Sequence, residues 1–285
     1  MFGEPSPILS PASFNSPLPN LIAPMGFSCV MEARKSLSVL YNAALHFRGE
    51  LIHLVAVGMK DHNLDLAARH CIHHSRTKTV DLTSRPDLIG RQAGLRFELE
   101  RWISLFKQLS QNQSYVHARP VILLEIQDFY ICFIVSTYRN THEVACDESI
   151  DLFRRIVYLS KLFIHGASTA TFTLESGAVP SLYLIAMKCR DPPTRRDAIS
   201  LLDQTNCQEG MWEGPLIARF VTEIAHLEEQ TTGTTPTHSR EIPESNRSDT
   251  IVMTTDIPGH GRLVCTRYQH ESTGKLQMTE RRFRL

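Results

Sequence analysis

Between residues 30 and 47, apolar side chains recur at Val30, Ala33, Leu37, Leu40, Ala44 and Phe47, in alternating steps of three and four. This is the spacing of one helical face, and it predicts a helix running on toward Val57. A shorter helix is expected over Asn63 to His74, carrying Leu64, Leu66, Ala67 and Ile72, followed by a polar connection over Ser75 to Thr83. Ser84, Pro86 and Asp87 then form a start signal resembling a capping box, after which Leu88, Leu95, Leu99, Trp102, Phe106 and Leu109 keep the helical period. Pro120 opens an apolar segment to Tyr138, in which Ile122, Ile126, Phe129, Phe133 and Ile134 suit a central helix contacted on several sides. Asp147 or Ser149 can cap the next helix, with Ile150, Phe153, Val157 and Ile164 inward and Gly166 as its stop.

The stretch from Pro180 to Glu213 is the most tightly punctuated. Pro180 suits the first turn of a short apolar helix over Ser181 to Cys189, because a first-turn residue needs no amide donor. Pro192 and Pro193 end it, Asp191 is placed to cap free amides, and Thr194 to Gln204 supplies Ala198, Ile199, Leu201 and Leu202 for a second helix. A third helix is expected after Gly210, with Trp212 at its entry and Leu216, Ile217, Phe220, Ile224 and Leu227 along one face. Beyond a Thr/Ser-rich charged stretch, residues 250–256, 262–269 and 275–283 look extended and are separated by Pro258-Gly259 and Ser272-Thr273-Gly274 turns.

The expected fold is therefore mainly α, an antiparallel helical-pair bundle or solenoid-like array with a small C-terminal antiparallel β meander. Residues 1–27, with six prolines among serines, read as a disordered lead-in. A helical domain is expected over 28–230, a linker over 231–249, and the meander, packed on the helices, over 250–285. Arg281, Arg282 and Arg284 on the last strand suit a solvated edge.

Composition changes this picture little. With 285 residues and 42% apolar composition the chain can bury a sizeable core, and 30 basic against 30 acidic residues leave no global field to draw nucleic acid or an anionic membrane. Seven widely spread cysteines suggest a reducing compartment. The first residues lack a secretory signal, and the longest apolar passage, Val121 to Val135, is broken by Glu125, Gln127 and Asp128, so an intracellular protein without a membrane span is expected.

Candidate chemistry is sparse. In HCIHH, His70 can align with His73 or His74 on a helix, near His62 and Asp65, but a metal needs a further anchored ligand, and an exposed polar helix end is the preferred reading. Ser104 and Lys107 in SLFK, with Tyr138 and Asn140 in YRN, superficially resemble a Ser-Lys nucleophile and its polar partner. The serine sits mid-helix, however, and no Lys-Thr-Gly strand, GxSxG or Gly-rich phosphate loop accompanies it. No catalytic residue, metal or cofactor is expected. Arg190, Arg195 and Arg196 flank the proline corner and Trp212 follows; they are the candidate partner contacts, although ion pairing, capping and packing are the plainer roles for them.

The sequence CRDPPTRRDAISLL followed by EGMWEG is similar to the C-terminal signature of the regulatory region in fungal binuclear zinc-cluster transcription factors. There a Cys-Arg-Asp-Pro corner leads into an Arg-Arg and Ala-Ile-x-Leu-Leu helix. MEARKSLSVLYNAAL, from Met31 to Leu45, resembles the acidic-Ala-Arg-x-Ser-Leu helix of the same region, and the likeness runs in order from residue 27 to residue 285. It implies a helical regulatory module in a nuclear regulator, with proteins of the transcription machinery or other regulators as partners, and it is compatible with a homo-oligomer. Such regulators often serve biosynthetic gene clusters. The zinc cluster itself needs six thiolates in two CxxC-containing sets, and this chain has no CxxC. No sequence-specific DNA binding is therefore expected from it alone. A DNA-binding-deficient scaffold or titrating partner of other regulators remains open as an alternative, and from another class a cryptic hydrolase using Ser104 and Lys107.

Overall fold

The structure, a computed structural model, describes residues 26–57, 65–69, 71, 85–111, 118–137, 142–165, 172–173, 177–205, 208–210, 212–230, 235–269 and 275–285. Of the expected lead-in, residues 1–25 lie outside these, as do His62, His70, His73, His74, Tyr138, Asn140 and Gly166.

Three long helices make the first half: α1 (Val30–Val57), α2 (Pro86–Ser110) and α3 (Arg119–Thr137). The predicted apolar face of α1 is the observed one, with Ala33, Leu37, Leu40, Ala44 and Phe47 all buried. It meets the Leu95, Leu99, Trp102, Phe106 and Leu109 face of α2, and the indole Nε1 of Trp102 donates to the Ala33 carbonyl at 3.0 Å. The start of α2 differs from expectation. Its cap position is Arg85, which offers no side-chain acceptor, and Asp87 pairs with Arg85 at 2.7 Å; Pro86 in the first turn marks the start, and Ser84 lies outside the described residues.

Helix α3 is central, as its all-round apolar pattern predicts. Ile122, Ile126, Phe129 and Phe133 point into one core and Val121, Leu124, Ile131 and Val135 into another, so one helix partitions its faces between two clusters. A 3-10 turn (Glu143–Ser149) runs directly into α4 (Ile150–His165). This corrects the expected capping by Asp147 or Ser149: the chain enters α4 without a break, and Asp147 turns to Arg247 instead. The remaining helices are α5 (Val179–Lys188), α6 (Pro192–Asp203) and α7 (Gly214–Glu229). Besides packing on their chain neighbours, helices meet across the chain, α3 with α5, α4 with α6 and α5 with α7, which is bundle-like packing around a shared core.

Short strands β1 (Phe172–Thr173), β2 (Gln208–Glu209) and β3 (Trp212–Glu213) lie between these helices, β1 parallel to β2 and β2 antiparallel to β3. They were not expected, since two-residue strands leave no periodicity to read. The C-terminal strands β4 (Thr250–Ile257), β5 (His260–Gln269) and β6 (Lys275–Arg284) form the predicted antiparallel meander, in that order. Gly259 takes a φ of +74° in the β4–β5 turn, a backbone region that L side chains rarely adopt. Leu263 enters the main core and Phe283 meets Phe220 of α7 edge-on at 5.1 Å, while Val252 and Val264 meet Ala67, Ala68 and Cys71 on the other face. The stretch expected to be a linker is folded over 235–249, with two 3-10 turns and a buried Ile242, Arg247 and Ser248.

Gly214 opens α7 where the end of α6 comes closest. A Cβ there would overlap the Thr205 hydroxyl and lie 2.6 Å from the Leu202 carbonyl, whereas Gly49 on the exposed side of α1 has open space. Chemical denaturation should therefore separate the two: Gly214→Ala is expected to lose about 1–3 kcal/mol, and Gly49→Ala to gain up to about 1 kcal/mol from helix propensity.

Candidate functional site

The proline corner between α5 and α6 is built from its own residues outward. Cys189 is extended, which stops α5, and Asp191 caps α6 by accepting from the Thr194 amide at 3.4 Å and the Thr194 hydroxyl at 2.5 Å, with Pro192 in the first turn. Capping by Asp191 is the role the sequence suggested. Arg154 of α4 reaches the other Asp191 oxygen at 3.3 Å and ties α4 to the corner.

Beneath the corner lies a buried charge cluster. Arg190 makes five hydrogen bonds: Nε and Nη2 to Glu228, Nη1 to Glu143, and two to the Lys188 and Ser248 carbonyls. Arg195 donates through Nε to the Ala186 carbonyl at 2.8 Å and sets Nη1 2.9 Å from Glu228. Glu228 also accepts from the Ser248 amide at 2.6 Å, and Lys188 bridges Glu143 and the Asp249 carbonyl at 2.7 Å each. A second fork, Arg247 onto Asp147 at 2.8 and 2.9 Å, fastens residues 235–249 to the 3-10 turn before α4, and Glu244 accepts the Glu143 and Val144 amides at 2.7 Å.

Arg190 and Glu228 are fully buried and Arg195 is 1% exposed. Taking an isolated carboxylate out of water costs several kcal/mol, which two arginines and an amide can offset only with good geometry. Burial would raise the pKa of Glu228, yet Arg190 and Arg195 outweigh it and hold the group down at about 2. The cluster is thus an ionic clamp joining α5, α6, α7 and the segment leading into β4.

This placement corrects the surface role suggested for Arg190 and Arg195, which face inward because their guanidinium groups are committed to Glu228 and Glu143. Arg196 is exposed on α6. Trp212 is half-buried, its ring tilted against Tyr183 at 5.2 Å. A further buried carboxylate, Glu209 on β2, accepts from the Gly177, Ala178 and Val179 amides at 2.7 to 3.1 Å and so caps α5 from outside. Burial pushes its pKa up, against the pull of those amides. A signal for Glu228 does exist in the sequence: it continues the four-three-four spacing of Ile217, Val221 and Ile224 along the buried face of α7.

The remaining candidates are placed simply. Ser104 and Lys107 lie on the exposed side of α2. Cys71 of HCIHH is buried against the meander, donating to the Thr250 carbonyl at 3.2 Å, and burial pushes its thiol up to about 12, away from the thiolate a metal needs. No group of three or more potential metal ligands occurs among the described residues, and among them no helix is long and apolar enough to cross a membrane. Arg281 pairs with Glu223 of α7 at 3.0 Å and Arg282 with Glu280 at 3.1 Å.

The outer surface next to the corner is less polar than a solvated face needs to be. On α4, Leu152, Tyr158 and Leu162 are 44%, 59% and 38% exposed, while Arg154 of the same helix reaches Asp191 at the corner and Arg155 reaches Glu125 of α3. The result is a mainly helical body with a clamped interior. An 83-residue stretch, 28% of this chain, is 37% identical to the aspercryptin biosynthesis cluster-specific transcription regulator atnN of Emericella nidulans, and covers 14% of that protein's length. No family model matches the chain, and no solved structure matches it.

The clamp makes a pH-dependent prediction. Since the folded pKa of Glu228 lies below its ordinary 4.5, its contribution is present above that value and fades as pH falls toward 2. Glu228→Gln should cost about 3–5 kcal/mol near neutral pH. The gap between variant and wild type in denaturant titrations should narrow as pH drops from 4.5 toward 2. A gap independent of pH would mean that Glu228 acts by shape alone.

Proposed function

We propose that the chain is a regulatory and interaction module of a fungal zinc-cluster-like transcription regulator, acting in the nucleus through protein contacts and not through chemistry on a substrate. The observation that carries this reading is the 37% identity to a cluster-specific transcription regulator. The resemblance of the Cys189 to Leu202 corner and the Met31 to Leu45 helix to the regulatory region of such proteins supports it. Control of a biosynthetic gene cluster is the corresponding biological setting. The contact region is drawn from the exposed residues Leu152, Tyr158 and Leu162 of α4 and Arg196 of α6, together with Trp212; its partner is a protein of the transcription machinery or another regulator. The apolar groups supply area that gains by leaving water, and the arginines supply charge-assisted bonds at the rim.

In the same reading these 285 residues do not select a DNA sequence, because selection requires donors and acceptors delivered into a groove by an ordered element. A scaffold that titrates other regulators is the second form of this function, and the direction of the transcriptional effect distinguishes the two.

The test is a tethering assay in a filamentous fungus. The whole chain is fused to an unrelated DNA-binding domain, and reporter transcript is compared with that domain alone. Transcript is expected to change, and Tyr158→Ser combined with Leu162→Ser should remove most of the change while circular dichroism and melting stay near wild type. An unaltered reporter at confirmed nuclear expression would defeat the proposal. So would a labelled DNA library from which the purified chain selects one sequence at physiological salt.

A further inference from the structure

The exposed side of α4 carries charge as well as apolar surface. The helix holds one acid, Asp151, against the cations Arg154, Arg155 and Lys161. Both arginines are engaged within the fold, Arg154 with Asp151 at 3.1 Å and Asp191 at 3.3 Å, Arg155 with Glu125 at 2.8 Å. Lys161 and His165, one turn apart and both exposed, make no hydrogen bond or ion pair among the described residues. A further cation arrives from α3. The exposed Arg119 lays its guanidinium over the Phe163 ring at 4.3 Å, at the same end of α4, and has no carboxylate partner among the described residues.

Tyr158 and Leu162 stand between these cations. Residues three and four apart are neighbours on a helix, so Tyr158 adjoins both Lys161 and Leu162, and Lys161 adjoins His165. Leu159, packed on the main core, lies one turn from both Leu162 and Phe163 and so carries the strip across to Arg119. An apolar strip thus runs along the outside of α4 with a cation on either side. We propose that this face docks an acidic amphipathic helix of a partner protein, one that sets Leu or Phe side chains at helical spacing among Asp and Glu. That partner chemistry rests on the contact role already proposed for Leu152, Tyr158 and Leu162.

Charge complementarity selects the occupant. A cation near the C-terminal end of a helix is favourable for the helix itself, which accounts for Lys161 and His165 but not for a tyrosine 59% exposed beside them. Tyrosine offers a wide apolar ring and a polar tip, and it is enriched where proteins meet. A basic partner would be repelled by Lys161 and Arg119. A purely apolar one would draw their charged heads out of water without supplying acceptors, which is costly. A phosphate-rich polymer would satisfy the cations and leave Tyr158 and Leu162 uncovered. An acidic amphipathic helix meets both demands, its apolar side chains on the strip and its carboxylates reaching Lys161 on one flank and Arg119 on the other. Such rim charges govern encounter and orientation, so the contact weakens with added salt.

The experiment is an unbiased selection. The whole chain is immobilised, and a displayed library of random peptides of about 16 residues, long enough for roughly four helical turns, is enriched against it. Enriched sequences are expected to be net acidic, with Leu, Phe or Trp three or four positions apart. Tyr158→Ser combined with Leu162→Ser should abolish their binding. Lys161→Glu combined with Arg119→Gln should weaken it about tenfold, and added salt should weaken the wild type more than this second variant. Enriched peptides without an acidic excess, a library from which nothing is enriched, or binding indifferent to either variant in chains that melt like wild type would overturn the proposal. The reporter assay keeps the two readings apart: a transcript change lost in the Tyr158 and Leu162 variant, with no acidic peptide enriched, retains the contact face and removes the partner chemistry alone.

Discussion

Glu228 is the group on which the second half of the molecule turns. It is a fully buried carboxylate shared by Arg190 and Arg195 and closed by the Ser248 amide, so three groups from other parts of the chain converge on its two oxygen atoms. A hydrophobic contact tolerates sliding, but this arrangement does not. A displaced arginine would leave a charge stranded in a medium that cannot solvate it, so the cost of partial assembly is steep. The corner between α5 and α6 is therefore held at one angle, and residues 247–249 are drawn against it before β4 begins.

The first half is held differently. There α3 divides its apolar side chains between two cores, and its pattern of burial explains why no single stripe is visible along it. Trp102 closes the contact of α1 and α2 with one hydrogen bond set within a dry, aromatic neighbourhood that includes Phe27 and Phe106. One half is thus positioned chiefly by shape and the other by charge within an apolar shell. In the second half, α4 is tied to the proline corner through Arg154 and Asp191.

Much of this could be read from residues in order. The α1 face, the two-sided nature of α3, the capping by Asp191 and the three strands after Thr250 all rest on signals confined to a few neighbouring positions: period, a proline, a short polar acceptor, a glycine in a turn. Where local rules failed, a distant residue had taken the group. Asp147 does not cap α4 because Arg247, a hundred positions on, holds its carboxylate. The polar stretch over 235–249 resembles a linker in composition, yet Arg247 and Ser248 carry it into the interior. Arg190 and Arg195 look like surface cations until Glu143 and Glu228 are placed beside them, and only Arg195 and Glu228, each in step with an apolar helix face, carried any trace of it.

The sequence by itself determined the class of the fold, the order of its main elements and the closing meander, because burying apolar surface at a helical or strand period is a property of consecutive residues. Tertiary structure alone decided which charges are interior, which polar stretch is folded and which faces remain open. The physical reason is that the fate of a carboxylate or a guanidinium depends on whether an opposite charge reaches it once water is gone. For Glu228 that partner lies 38 residues away along the chain and 2.9 Å away in the folded protein.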